Sequence, residues 1–183
     1  MVLFINACVR KGSRTKALAD HVLSKRNEPY EEVYLNAIDF PVVDENFLSR
    51  RDRLIADREF GDPVFDLARQ FAEADDIVIA APFWDLSFPA TLKQYFEQIN
   101  VVGITFFYTE EGIPTGLCKA KCLTYITTAG GDFFPDEYGA GYVKALAQNF
   151  YGIPEFRMIK ATGLDIIGAD VDAIIDSVKA FIF

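Results

Sequence analysis

The sequence has little of what most metal, disulfide and nucleic-acid proteins depend on. It contains one histidine and three cysteines in 183 residues. Cys8, Cys118 and Cys122 are odd in number and follow no C-x-x-C spacing. Neither a disulfide framework nor a zinc site is expected, and the thiols read as reduced. Basic residues are in deficit, 18 against 27 acids for a net charge of −9. That argues against a nucleic-acid or anionic-membrane partner, which needs a basic face, while a local basic spot still suits a small anion. No apolar stretch approaches the ~18 residues of a membrane span. The opening MVLFINACVRKG lacks the basic region of a signal peptide and reads as a first strand, so the expected location is the cytoplasm. GxxxxGK[ST] and GxGxxG are both absent, which speaks against a P-loop ATPase and a Rossmann dehydrogenase. A receiver domain needs an acidic pair after its first strand, where this chain has Ala7-Cys8.

What is present is apolar and periodic. Hydrophobic residues make up 51% and aromatics 14%, including 17 Phe, enough for a sizeable core in one domain spanning 1–183. VLFINAC (2–8), DIVIAAP (76–82) and CLTYITTAGG (122–131) are unbroken apolar runs, as expected of parallel strands buried on both faces. EEVYLNAID (31–39) and FRMIKATGLD (156–165) complete a set of five strands. Helical spacing marks residues 13–23, the stripe Val64, Leu67, Ala68 and Phe71, and the stripe Leu92, Tyr95, Phe96 and Ile99. The same spacing recurs at Val143, Leu146, Ala147 and Phe150, and at Val171, Ile174, Ile175 and Val178. Residues 40–62 are polar and of mixed charge and read as a long loop with a little helix. ITFFYT (104–109) and the EEGIPTG turn read either as an ordinary hairpin or as a lip over a site. The alternation implies an α/β fold, a doubly wound five-stranded parallel sheet in the flavodoxin-like order 2-1-3-4-5. In such sheets ligands sit outside the carboxyl ends of the strands, at the switch point.

Three loops should meet there. After the first strand, Arg10, Lys11 and Arg14 surround Ser13 and Thr15 at a helix start. This is either a plain Ser13 N-cap with solvated basic residues or a phosphate site using unpaired N–H groups and hydroxyls. After the third strand, Pro82-Phe83-Trp84-Asp85-Leu86 offers aromatics that either stack on a planar ring or pack beneath the next helix, which Pro89 opens. After the fourth, Thr128-Ala129-Gly130-Gly131 is either a turn needing positive φ or a backbone that approaches a ligand closely. His21 reads as a structural residue. Each loop is ambiguous alone; together they offer partners for the phosphate, ring face and ring edge of a mononucleotide, and the fitting ligand is FMN.

These segments also carry a resemblance. APFWDLSFPATLKQYFEQI (81–99), GITFFYTEEGIPTGLCKAK (103–121) and ITTAGG (126–131) are similar to elements of the FMN-dependent NAD(P)H oxidoreductases of the flavodoxin-like superfamily, the azoreductases and quinone reductases. The resemblance implies that Arg10, Ser13, Arg14 and Thr15 hold the FMN phosphate. It implies that Pro82, Phe83, Trp84, Asp85 and Leu86 run along the isoalloxazine, with a backbone N–H near Asp85 facing N5, and that Thr128, Ala129, Gly130 and Gly131 line the pyrimidine edge. It further implies ping-pong hydride transfer from NADH or NADPH to a quinone, azo or nitro compound, no metal, and a homodimer, with which Phe88, Phe106, Phe107, Phe133 and Phe134 on apparent loops are compatible. Asp85 stands where the family's azoreductases carry Asn, and Ala129 where they often carry Arg. Asp85 is the one acid to test for a catalytic role. The competing reading is a flavodoxin-type FMN electron carrier without nicotinamide turnover. Replacing Ser13 and Arg14 together by alanine is expected to weaken FMN binding with folding nearly intact.

Overall fold

A computed structural model describes residues 1–182. The apolar runs become the strands of one parallel sheet. In chain order these are β1 (Val2–Asn6), β2 (Tyr30–Tyr34) and β3 (Asp76–Ala80). A small antiparallel hairpin of β4 (Phe106–Tyr108) and β5 (Pro114–Gly116) follows, and then β6 (Cys122–Thr128) and β7 (Glu155–Ala161). The sheet order is β2-β1-β3-β6-β7, which is the 2-1-3-4-5 pattern once the hairpin strands are set aside. All four pairings are parallel, with Val2 opposite both Tyr30 and Asp76.

The alternating faces of the strands build two cores. Leu3 and Ile5 of β1 join Ile77, Ile79, Leu123 and Tyr125 on one side. Against them pack Phe71 of α3 (Asp66–Glu73), Tyr95 and Phe96 of α4 (Ala90–Ile99) and Val143 of α5 (Ala140–Ala145). Val2 and Phe4 face the other way with Val78, Ala80 and Ile126, under Leu18, Ala19 and Val22 of α1 (Arg14–Arg26). On that side Ile175 and Val178 of α6 (Val171–Ala180) close the end over β7. Burial on both faces is what requires near-continuous apolar strands.

Three elements differ from the sequence reading. Residues 45–56, expected to lie in a long loop with a little helix, form the full helix α2 (Glu45–Ala56). Asp44 caps it by accepting from the Phe47 N–H at 2.8 Å. Leu54 is its one buried residue, so an apolar stripe was lacking although the cap was present. The second strand ends at Tyr34 and turns into a short 3-10 segment, Leu35–Ala37. The stripe at Val143 to Phe150 begins as α5 and ends in a π-helical turn over Leu146–Phe150.

The β4–β5 hairpin takes the first of its two readings. The Leu117 N–H donates to the Thr105 carbonyl and the Cys118 N–H to the Tyr151 carbonyl, while Lys119 and Lys121 N–H groups reach Ala72 and Asp75. It is thereby tied to the amino end of the sheet, far from the loops that follow β1, β3 and β6.

Candidate functional site

The carboxyl ends of β1, β3, β6 and β7 enclose a cavity of about 390 Å³, a volume suited to a compact organic ligand. Its walls include Arg10, Ser13, Arg14, Thr15, Pro82, Phe83, Trp84, Thr128, Ala129 and Gly130. Asp85, Leu86 and Gly131 lie outside its lining, Asp85 and Leu86 one and two residues beyond Trp84 and Gly131 one beyond Gly130. Val9, Gly12, Leu164 and Asp165 also line it. The turn after β7 is the contribution missed in the sequence; the same carboxyl-end rule pointed to it, since FRMIKATGLD runs into Gly163-Leu164-Asp165.

The first wall is the start of α1. Ser13 is a true N-cap: its Oγ accepts from the Lys16 N–H, and its carbonyl accepts from Ala17. Among the described residues, the N–H groups of Arg14 and Thr15 donate to nothing. The cap and the anion site are therefore compatible rather than rival readings. The cap satisfies the third N–H of the helix and leaves the first two open toward the cavity, at the positive end of the helix dipole. Thr15 departs from expectation. It is buried, and its hydroxyl meets the equally buried Thr128 hydroxyl at 2.7 Å. Its side chain ties α1 to the end of β6, one of the two hydroxyls donating to the other.

The second wall continues β3. The N–H groups of Ala81 and Phe83 donate to Ile126 and Thr128 carbonyls, extending the ladder past the strand's end. The chain then reverses. Trp84 and Ser87 exchange both backbone hydrogen bonds, at 3.1 and 2.8 Å. Asp85 and Leu86 between them have φ of +50° and +67°. Two successive left-handed residues make a type I′ turn, a conformation costly for leucine. Ser87 Oγ fastens the turn by donating to the Tyr138 carbonyl at 2.8 Å. Among the described residues, nothing accepts from the Asp85 or Leu86 N–H. Phe83 packs on Phe134 with centroids 4.3 Å apart and the rings tilted by 39°, and the Lys160 ammonium lies over the Phe134 ring. Of the other loop phenylalanines, Phe106 is buried, Phe88 packs on Phe96 and Tyr142, and Phe107 and Phe133 are exposed.

The third wall joins β6 to β7. The Gly130 and Gly131 carbonyls accept from Asp165 and Gly163 N–H groups, at 2.8 and 3.1 Å, while among the described residues their own N–H groups donate to nothing. A Cβ at Gly130 would overlap the Asp165 carboxylate. That carboxylate also reaches Arg14, with Oδ1 2.7 Å from Nη1.

Cys8 lies beside the first wall, buried, its thiol pushed above the usual range mainly by that burial, with the Ser13 hydrogen bond opposing it. His21 is partly buried and does not line the cavity. Among the described residues, no group of three or more His, Cys, Asp or Glu is placed to hold a metal, and no helix is long and apolar enough to cross a membrane. A cleft of about 890 Å³ opens at the amino end of the sheet. Of its lining residues Arg69 pairs with Asp66, Glu73 with Lys119 beside the cleft, and Glu31 accepts from the Gln70 amide.

Comparison with known proteins places the chain in a family by its fold. The family model described as "Flavodoxin-like fold" matches residues 1–181. A protein of Lachnoclostridium phytofermentans named "FMN-dependent NADH:quinone oxidoreductase" is 40% identical over 182 aligned residues, covering 94% of this chain and 90% of that protein. One of the same name from Clostridium beijerinckii is 39% identical, covering 96% and 92%. Among solved structures, an azoreductase from Bacillus anthracis str. Sterne superposes with a TM-score of 0.83 at 24% identity, covering 98% of this chain and 94% of that one. At that identity the likeness is one of fold.

Proposed function

The chain belongs to the flavodoxin-like fold family, and from that premise we propose that it is an FMN-dependent NADH:quinone oxidoreductase. Its relatives carry that name at 40% and 39% identity over almost their whole length. The observation that carries the reading is the set of unpaired backbone donors on two facing walls: Arg14 and Thr15 N–H at a helix start, and Gly130 and Gly131 N–H after β6.

The residues present fit FMN. Arg10, Ser13, Arg14 and the Arg14 and Thr15 N–H groups would hold a phosphate. Pro82, Phe83 and Trp84 would flank a planar ring, with the free Asp85 and Leu86 N–H groups at its edge. Thr128, Ala129, Gly130 and Gly131 would border the ring's polar side. FMN held there would supply the redox chemistry, ping-pong hydride transfer between NADH or NADPH and a quinone, azo or nitro acceptor. The protein's part is positional and electrostatic. The Gly130 and Gly131 N–H groups hold negative charge as oxyanion donors do, one such donor being worth ~3 kcal/mol. Trp84 and the packed Phe83–Phe134 pair would keep one side of the cavity apolar. No side-chain acid or base is needed, and Asp85 acts through its place in the turn.

A homodimer belongs to the same reading. Trp84, Leu86, Phe133, Tyr138, Ile166 and Ile167 are exposed on the loops around the cavity, Phe133 at 76% and Ile167 completely, and aromatic residues are enriched where proteins associate. Sedimentation of the purified protein at two concentrations tests this directly.

The deciding experiment is an anaerobic titration. Purified protein should carry flavin absorbance that NADH bleaches and a quinone restores. Flavin that neither NADH nor NADPH reduces would make the chain an electron carrier of the flavodoxin type. Failure to take up FMN at all would end both readings.

A further inference from the structure

We infer that Asp165 sets how strongly this protein prefers the phosphorylated flavin to the unphosphorylated one, by competing with the phosphate for Arg14. The inference rests on the flavin reading above and adds to it a residue that neither the loop pattern nor the resemblance assigns.

Arg14 does not project freely into the cavity. Its Nη1 donates to Asp165 Oδ1 at 2.7 Å and to the Leu164 carbonyl at 3.2 Å. Helix α1 is thereby joined across the cavity to the turn after β7. A guanidinium has five donors in a fixed fork, so Nε and Nη2 are still available to a phosphate while Nη1 keeps the carboxylate. The result is one cation shared by two anions. A phosphate monoester approaching near-doubly charged meets a partner already half-neutralised and a carboxylate within a guanidinium's breadth.

The carboxylate is placed there by the backbone. Asp165 N–H is bonded to the Gly130 carbonyl, and Gly163 N–H to Gly131. Gly163 has a φ of +75°, which lets the strand end fold back over the glycine pair. A Cβ at Gly130 would occupy the space of the Asp165 carboxylate. Gly130 therefore serves the approach of Asp165 as well as that of a ligand. The charged residues lining the cavity are thus Arg10 and Arg14 against Asp165. Riboflavin, with no phosphate, gains nothing from Arg14 and is indifferent to the competition.

The test uses the intact protein loaded separately with FMN and with riboflavin, each Kd read from flavin fluorescence on dilution. Exposed ion pairs are worth little, so Asp165→Asn should tighten FMN by only about fivefold, while riboflavin changes less than twofold. Asp165→Glu, which keeps the charge, should hold the wild-type ratio. Three results would overturn the inference: weaker FMN binding in Asp165→Asn, as expected if the carboxylate only aligns Arg14; an equal change for both flavins; or Glu behaving as Asn does. Wild-type protein that binds neither flavin is a different outcome, since it removes the flavin reading itself.

Discussion

The two ends of one sheet are built on opposite terms. At the amino end, several charged groups find partners within the chain. The N-terminal ammonium pairs with Asp75, Lys119 with Glu73, and Arg26 with Asp76. Tyr151, fully buried, donates its hydroxyl to Asn100 at 2.7 Å. Gly116 lies so close to the backbone of Tyr151 and Gly152 that no side chain fits between them. At the carboxyl end, among the described residues, the N–H groups of Arg14, Thr15, Asp85, Leu86, Gly130 and Gly131 donate to nothing, two successive residues of one turn, Asp85 and Leu86, are left-handed, and aromatic side chains such as Trp84 and Phe133 are exposed. A parallel sheet places all its strand ends of one kind together, so loops at one end can be given over to a ligand while the other closes the core. The difference teaches where substitutions should act on stability and where on binding.

The contrast is sharpest for Gly116→Ala. Its Cβ would overlap backbone rather than a movable side-chain tip. We expect a loss of about 3 kcal/mol in denaturant unfolding, from overpacking that cannot relax, with one flavin still bound per folded chain. Arg14→Ala should do the reverse. Hydrogen bonds to charged groups imply that its FMN dissociation constant rises about thirtyfold. Its melting temperature should hardly move, because the ion pair it loses is exposed, with side chains 43% and 71% accessible. A large fall in stability for Arg14→Ala would blur the division between the ends.

Ser13→Ala tests the one residue that belongs to both accounts. The sequence suggested that it could be removed with little effect on folding. As the N-cap of α1, its loss should cost about 1 kcal/mol and also weaken FMN, so urea unfolding and flavin release should both change. Leu86→Gly is the smallest expected effect and has the unusual sign. Relief of the left-handed strain outweighs the entropy that glycine adds to the unfolded chain, for a gain of about 0.5 kcal/mol. A loss in thermal unfolding would mean that the turn is held without strain.

Much of this was legible in the chain. Unbroken apolar strands, helical stripes and the positions of three loops gave the sheet order and the neighbourhood of the cavity. Helix α2 escaped because a helix with one buried residue leaves no stripe to read. Asp165 escaped because its role is relational: a carboxylate in a Gly-Leu-Asp turn has no signature until Arg14, 151 positions away in sequence, is brought beside it. The Ser13 cap and the Thr15–Thr128 contact show the same limit. The residue types suggested donors to a ligand, but which donors are already used depends on neighbours that sequence spacing does not reveal.

The sequence by itself determined a two-sided parallel sheet, because strands buried on both faces must be apolar throughout, and it determined that the loops at one end carry the basic, aromatic and glycine residues. Only the tertiary structure decided which of those groups remain available. It turned the Thr15 hydroxyl inward, put Asp85 and Leu86 into a strained turn, and set Asp165 against Arg14. Hydrogen bonds and charge pairs form between residues distant in the chain, and each such pairing removes a group from the ligand or keeps one for it.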